Sequence, residues 1–437
     1  MTAAGYADHL GLGEGGGPAV IALAVFVLAY VLVIAEESIG LRKSKPVVIA
    51  AGVIWVLVGI AARAHGGIDA AMLLEHNLLE YAGLLLFLLA AMTYVNTLDE
   101  RNVFAALRSW MVLRGFSLRT IYWLTGLIAF LLSPVLDNLT TALVLGAVAL
   151  NVGRGSPRFL VPACINIVVA ANAGGAFSPF GDITTLMVWQ KGRVGFFEFF
   201  DLFLPALVNW LVPAFCMQFA VPRAQPQPEA SVSHVKPGGF GVMILFAATV
   251  AFTVVLHQWL HLPSFLGMMT GMGALMVHGH FLNRGELLAL RPFNVFTQMQ
   301  RIEWDTLLFF YGVVLCLGGL GAFGYLAWLS THSYATLGPS TTNVAVGLAS
   351  AIIDNIPIMF AVLSMNPEMS HGQWLLVTLT AGVGGSLLSI GSAAGVALMG
   401  QAQGVYTFMS HLKWIWAVAL GYAASIWVHF LVNQALF

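Results

Sequence analysis

Three aspartates stand inside long apolar stretches of a chain that spends only 8% of its residues on charge. Two of them are each followed by an asparagine, in Ser133-Pro-Val-Leu-Asp137-Asn138 and in Ser350-Ala-Ile-Ile-Asp354-Asn355. The third closes the run Asn172-Ala-Gly-Gly-Ala-Phe-Ser-Pro-Phe-Gly-Asp182-Ile-Thr184-Thr185. A second glycine-rich run, Gly384-Gly385-Ser386-Leu-Leu-Ser389-Ile-Gly391-Ser392, offers hydroxyls and no charge. Carboxylates, amide oxygens, hydroxyls and exposed carbonyls are the donors that a small hard cation takes. A carboxylate shielded from water can be neutralised by such a cation or by a proton, so the two compete for one place. If only the loaded forms cross a membrane, that competition is exchange. An aspartate at membrane depth costs roughly 2.5–3.5 kcal/mol on insertion scales and therefore needs a partner or a task. The plain alternative for each is a structural carboxylate satisfied by a helix N-terminus, and it weighs most for Asp182.

The elements that hold these residues are set by composition. Of 437 residues, 59% are hydrophobic, and the mean hydropathy is +0.87. A water-soluble protein carries about 25% charged residues, so the solvent here is a bilayer and the chain is an all-α polytopic membrane protein. Apolar stretches long enough to span it lie near 18–36, 46–62, 80–98, 159–190, 201–221, 240–257, 263–279, 303–326, 372–404 and 412–434. Two of these, 159–190 and 372–404, are broken by the glycine runs. Two further apolar regions, 120–152 and 341–366, are interrupted by proline and the Asp-Asn pairs. If Arg42, Lys43 and Lys45 are cytoplasmic, alternation places 15 of the 18 basic residues inside, leaving Arg63, Lys191 and Arg193 outside. That bias obeys the positive-inside rule. It makes 120–152 a re-entrant hairpin from the cytoplasm and 341–366 one from outside, with both chain termini outside. The first seventeen residues are then an external segment without the basic region of a signal peptide.

The halves repeat. Glu80–Phe87 resembles Glu303–Phe310, Ser133–Asn138 matches Ser350–Asn355, and Gly174-Gly175 with Gly181 matches Gly384-Gly385 with Gly391, in the same order. Five spans and one hairpin per half make an odd number of crossings, so the second repeat, 240–437, is inverted relative to the first, 18–222. The segment 223–239, rich in proline, glycine and polar residues, reads as the cytoplasmic linker. Inverted repeats with broken helices are a hallmark of secondary transporters. Lesser candidates are Glu80, Glu303 and Asp305 at span ends and His76 as a loop histidine one turn from Glu80. Glu36 and Glu37 are read as partners of the basic loop. The cysteines Cys164, Cys216 and Cys316 are read as small buried hydrophobes. No cofactor and no nucleic acid is called for, and neither HExxH nor GxSxG, the marks of a membrane-embedded hydrolase, occurs.

Leu132-Ser-Pro-Val-Leu-Asp-Asn-Leu-Thr-Thr-Ala-Leu143, the Asn172–Thr185 break, Ile302-Glu-Trp-Asp-Thr-Leu-Leu-Phe-Phe310 and Ile352-Ile-Asp-Asn-Ile-Pro357 together resemble the NhaD-type sodium/proton antiporters of bacteria. These belong to a superfamily that includes arsenite pumps and sodium-coupled dicarboxylate carriers. The resemblance implies exchange of Na⁺ or Li⁺ for H⁺ in the inner membrane by an elevator-type homodimer embedded in lipid. Its mobile parts would be 120–222 and 341–437. It carries site roles onto Asp137, Asn138, Asn172, Asp182, Thr184, Thr185, Asp354, Asn355, Ser389 and Ser392. Thr141, in the threonine pair after the first tip, joins them as a cation-ligand candidate. Asp137 and Asp354 are expected to carry the exchanged protons. A dicarboxylate symporter is the alternative, disfavoured because both tips carry a carboxylate that repels an anion. A metalloid extruder is the other, and Cys164 lies a few turns before the break.

Overall fold

A computed structural model describes residues 16–65, 69–153, 156–225, 233–285, 293–402 and 404–437. Residues 1–15 of the N-terminal segment, the middle of the linker (226–232), Arg154 and Arg291 lie outside the described residues. Every regular element among them is helical. Ten helices are long and apolar enough to cross a membrane, the number read from the sequence, although the membership differs. The arm Leu118–Leu136 of the first interrupted region qualifies, whereas the second broken helix divides into pieces of 14 and 9 residues that do not.

Helix is interrupted at both Asp-Asn pairs and at both glycine runs. The first interrupted region is a helix pair, Leu118–Leu136 and Asn138–Val152, that turns at the single residue Asp137. The second is Pro339–Ala349 and Asn355–Met365, turning through 350–354. The broken helices are Pro157–Gly175 with Ile183–Gln190, and His371–Gly384 with Ala393–Gln401. Elements not anticipated are Val103–Leu113 and the short turns of helix between Tyr325 and Ala335. The third helix starts earlier than its apolar core, running Ala70–Glu100. His76 is therefore helical rather than in a loop, 3.1 Å from the Glu80 carboxylate one turn on. Glu36 accepts from the Lys43 backbone amide at 3.3 Å, as a partner of the basic loop should. Cys164 and Cys316 are buried as expected, but Cys216 is only half-buried.

The chain forms two compact units, each drawing on both halves of the sequence. One comprises residues up to Leu85, Glu303–Ala345 and Ile356–Met369. Its core is a close stack of helices Gly17–Ile34, Ser44–His65 and Trp304–Ala322. Ala19, Ala22, Ala50, Ala51 and Ile54 meet Leu315, Cys316 and Leu320 there. Small residues let membrane helices approach closely, because lipid gives no hydrophobic push between them. Trp55 Nε1 donates to the Leu315 carbonyl at 2.9 Å, and Ser44 Oγ donates to the Asp305 carboxylate.

The other unit comprises Leu86–Ile302, Val346–Asn355 and Ser370–Phe437. Its centre is Pro157–Gly175, buried along nearly its whole length. Both arms of the first helix pair, the piece Ala393–Gln401 and the helix Phe203–Met217 pack on it. All the tips and breaks lie in this unit, so the candidate site can be described within it.

Candidate functional site

The first break begins where Gly174 and Gly175 end a helix. A methyl group added at Gly174 would stand 2.3 Å from the Phe130 carbonyl oxygen, and one at Gly175 2.6 Å from that of Gly181. Only glycine permits backbones this close. Ser133 Oγ donates to the Ala171 carbonyl at 2.6 Å, and Ser178 Oγ to that of Pro134 at 2.8 Å. The freed carbonyls of the tip and break are thereby satisfied by each other's side chains. Thr185 Oγ1 bonds the Ser178 and Asp182 carbonyls, both at 2.7 Å, which makes it a brace of the loop. The chain re-enters helix at Asp182, whose carboxylate accepts from the Thr184 amide at 3.2 Å as an N-cap.

The second break repeats this frame. Methyl groups at Gly384 and Gly385 would lie 2.1 Å from the Gly347 carbonyl and 2.6 Å from the Gly391 carbonyl. Ser350 Oγ donates to the Ala381 carbonyl at 2.7 Å, in the place of Ser133. Helix resumes at Ser392, whose hydroxyl accepts from the Gly395 amide at 3.3 Å. The two capping residues share a backbone conformation, φ −149° and ψ 151° for Asp182, φ −144° and ψ 151° for Ser392. Where the breaks meet, Asn172 bonds Ser386 and the matched pair Gly382 and Ala176 face each other.

The side chains of these frames converge on Asp182, which is 4% exposed. Asn138 Nδ2 from the first tip donates to Asp182 Oδ2 at 3.1 Å, and Asn355 Nδ2 from the second tip donates to the same oxygen at 2.8 Å. Asn138 Nδ2 also donates to Asn172 Oδ1 at 3.0 Å. Asn172 Nδ2 in turn donates to the hydroxyls of Ser386 at 2.8 Å and Ser392 at 2.9 Å. The polarity of this chain follows from its origin. An ionised carboxylate only accepts, so both tip asparagines must present N–H to it, and Asn138 then fixes which way the Asn172 amide faces. Among the described residues, the buried hydroxyls of Thr141, Thr184 and Ser389 have no hydrogen-bond partner. Buried orphan hydroxyls call for a ligand or a water, and their oxygens suit a cation.

Asp137 and Asp354 are both half-buried. Asp137 N-caps its own helix, accepting from the Thr140 amide at 2.7 Å and the Thr140 hydroxyl at 3.0 Å. It does so at φ 68° and ψ 160°, a conformation almost confined to glycine. Asp137 and Asp182 line one cavity of about 30 Å³, otherwise walled by apolar groups that include Phe87, Phe180 and Phe246. That is room for about one water. Asp354 lies close enough to Asp182 for their charges to act on each other.

Of the sequence-derived candidates, the hydrogen-bonded network thus unites Asn138, Asn172, Asp182, Asn355 and Ser392. Asp137 adjoins it through the cavity, and Thr185 braces it. Ser386 was visible only as part of the second run, and its partner His411 gave no signal beyond being a lone histidine in an apolar region.

Residues 16–382 match a family described as citrate transporter. The Na⁺/H⁺ antiporter NhaD of Alkalimonas amylolytica is 54% identical, across 95% of this chain and 91% of its own length. The protein of the same name from Vibrio cholerae is 53% identical, across 95% and 92%. Sodium/proton antiporter 1 of Arabidopsis thaliana is 32% identical, across 94% of this chain and 72% of its own.

Proposed function

The chain belongs to the NhaD-type Na⁺/H⁺ antiporter family, and from that premise we propose that it exchanges Na⁺ or Li⁺ for H⁺ with Asp182 as the carboxylate both hairpin tips share. One observation carries the assignment: a buried carboxylate receives the asparagine amides of both tips on a single oxygen. In the ionised state both amides point N–H at it. A proton on the carboxyl turns one oxygen into a donor and leaves less acceptor capacity for them. A bound Na⁺ keeps the carboxylate ionised but draws amide and hydroxyl oxygens toward itself. Each passenger therefore asks for its own arrangement of Asn138 and Asn355, and both tips feel which one is aboard. Asn172, Ser392 and the hydroxyls of Thr141, Thr184 and Ser389 supply further oxygens, while Asp137 and Asp354 stand at the tips as additional proton carriers.

Alternating access would come from movement of two inverted repeats around this point. The matched frames of the two breaks support the repeats, and the distribution of basic residues supports the orientation with both termini outside. A homodimer, elevator-type motion of 120–222 and 341–437, and a bacterial inner-membrane address rest on the resemblance. A citrate-like substrate fits poorly. Arg101 is the one buried lysine or arginine among the described residues, and it pairs with Glu100 at 2.7 Å.

The test is proton flux in proteoliposomes on addition of Na⁺, Li⁺, K⁺ or citrate. Collapse of an imposed proton gradient by Na⁺ or Li⁺ alone is expected. Competition also predicts that the KM for Na⁺ rises by up to about tenfold per unit fall in pH where one proton displaces one ion. A KM that ignores pH would remove the shared-carboxylate mechanism.

A further inference from the structure

His411 is fully buried in the short helix Phe408–Leu412, and none of the steps above uses it. The helix is pinned by a capping box: Ser410 donates its amide to Thr407 Oγ1 at 3.3 Å, and the Thr407 amide donates to Ser410 Oγ at 2.8 Å. This sets His411 inward, with both ring nitrogens engaged. Nε2 lies 3.0 Å from the Ser386 carbonyl oxygen, and Nδ1 lies 2.7 Å from the hydroxyl of Tyr406, itself 1% exposed. A carbonyl only accepts, so the proton must be on Nε2; in the neutral ring Nδ1 then accepts from the tyrosine. The tautomer is thus dictated by its neighbours.

Ser386 is where this brace meets the site. Its backbone carbonyl is held by His411, and its side-chain hydroxyl accepts from Asn172, whose other end receives Asn138 on Asp182. We propose that His411, locked by Tyr406, is a positioning residue for cation binding: it fixes the Ser386 peptide and so sets the Asn172 amide that faces the first tip. It is not a proton relay, because a carbonyl has no proton to pass on. The first break has a brace of its own, since Thr185 holds the Ser178 and Asp182 carbonyls from within. The proposal rests on the reading of Asp182 as the exchange carboxylate.

The test compares His411→Asn, His411→Gln, Tyr406→Phe and Asp182→Asn in Na⁺-driven proton flux, with thermal melting of each purified protein. Glutamine places an N–H near the position of Nε2 and asparagine does not. Residues that orient ligands in this way cost about 10–100-fold in ion affinity when lost. His411→Asn should therefore raise the KM for Na⁺ at least about tenfold with a smaller change in maximal rate, and His411→Gln should recover most of the loss. Tyr406→Phe should shift KM in the same direction by less. Equal defects in His411→Asn and His411→Gln, or a wild-type KM in His411→Asn, would overturn the positioning role. If His411→Asn fails to fold, the KM values of His411→Gln and Tyr406→Phe decide: the former near wild type and the latter raised supports it, and an unchanged Tyr406→Phe refutes it. Wild-type exchange by Asp182→Asn would instead overturn the site on which the proposal stands.

Discussion

At the first break the residue that restarts the helix is Asp182; at the second it is Ser392, held at nearly the same backbone angles. Asn172, the amide that reaches across, has glycine at the matched position, Gly382. The glycines, the brace made by Ser133 or Ser350 and the close backbone approaches are all present twice, to within a few tenths of an ångström. A duplicated scaffold therefore carries chemistry that is not duplicated. The tips diverge as well: both read Asp-Asn, but the first turns on one residue in a glycine-like conformation, and the second spreads the turn over 350–354. The difference teaches that two similar frames can converge on one carboxylate, so the ion site proposed at Asp182 would draw on both halves at once.

The largest test of this asymmetry is to move the charge. Asp182→Asn should abolish Na⁺-driven proton flux, and adding Ser392→Asp to that variant should not restore it, because both tip amides, Asn138 and Asn355, are directed at residue 182. Recovery of flux would mean the breaks are interchangeable. Shared scaffolding should show as shared fragility: Gly174→Ala and Gly384→Ala each push a methyl into a carbonyl and should destabilise by about 1–3 kcal/mol on thermal or denaturant unfolding in detergent. A large loss at one and none at the other would break the equivalence of the frames. Next come the tip amides. Asn138→Ala and Asn355→Ala should each raise the KM for Na⁺ about tenfold, near the lower end of what lost ligand support costs. If only one matters, the sharing of Asp182 is wrong. The smallest effect separates the tips themselves. Asp137→Gly should be more stable than Asp137→Ala by about 1 kcal/mol, since glycine accepts the positive φ. At Asp354, whose φ is not positive, the alanine variant should be at least as stable as the glycine one.

Much of this was open to sequence reasoning because charge in an apolar run has few explanations. The Asp-Asn pairs marked both tips, and the paired glycines marked both breaks within a residue or two. What stayed hidden was the hub. Asp137 and Asp354 are expected to carry the exchanged protons because they sit in the repeated motif, while the sequence leaves open whether Asp182 ligates the ion or braces the break. It is a cap, and it is also where both asparagines point, a fact set by how two tips pack rather than by any local pattern. His411 was invisible for the same reason, since its partners are a backbone carbonyl and a neighbouring tyrosine. The early start of the third helix was missed because His76 read as a loop histidine and Glu80 as the end of the span, although one turn of helix lets them pair.

Among the described residues, the only formal charge in the network of asparagines and serines is that of Asp182. Trading one monovalent cation there for one proton leaves the total unchanged. A membrane potential, worth about 2.3 kcal/mol per elementary charge at 100 mV, therefore does no work on that trade. Voltage can act only if Asp137 or Asp354 travels with a proton in one direction and bare in the other. On the proposed mechanism, whether exchange draws current would thus be decided at the two hairpin tips, with the buried carboxylate between them electrically silent.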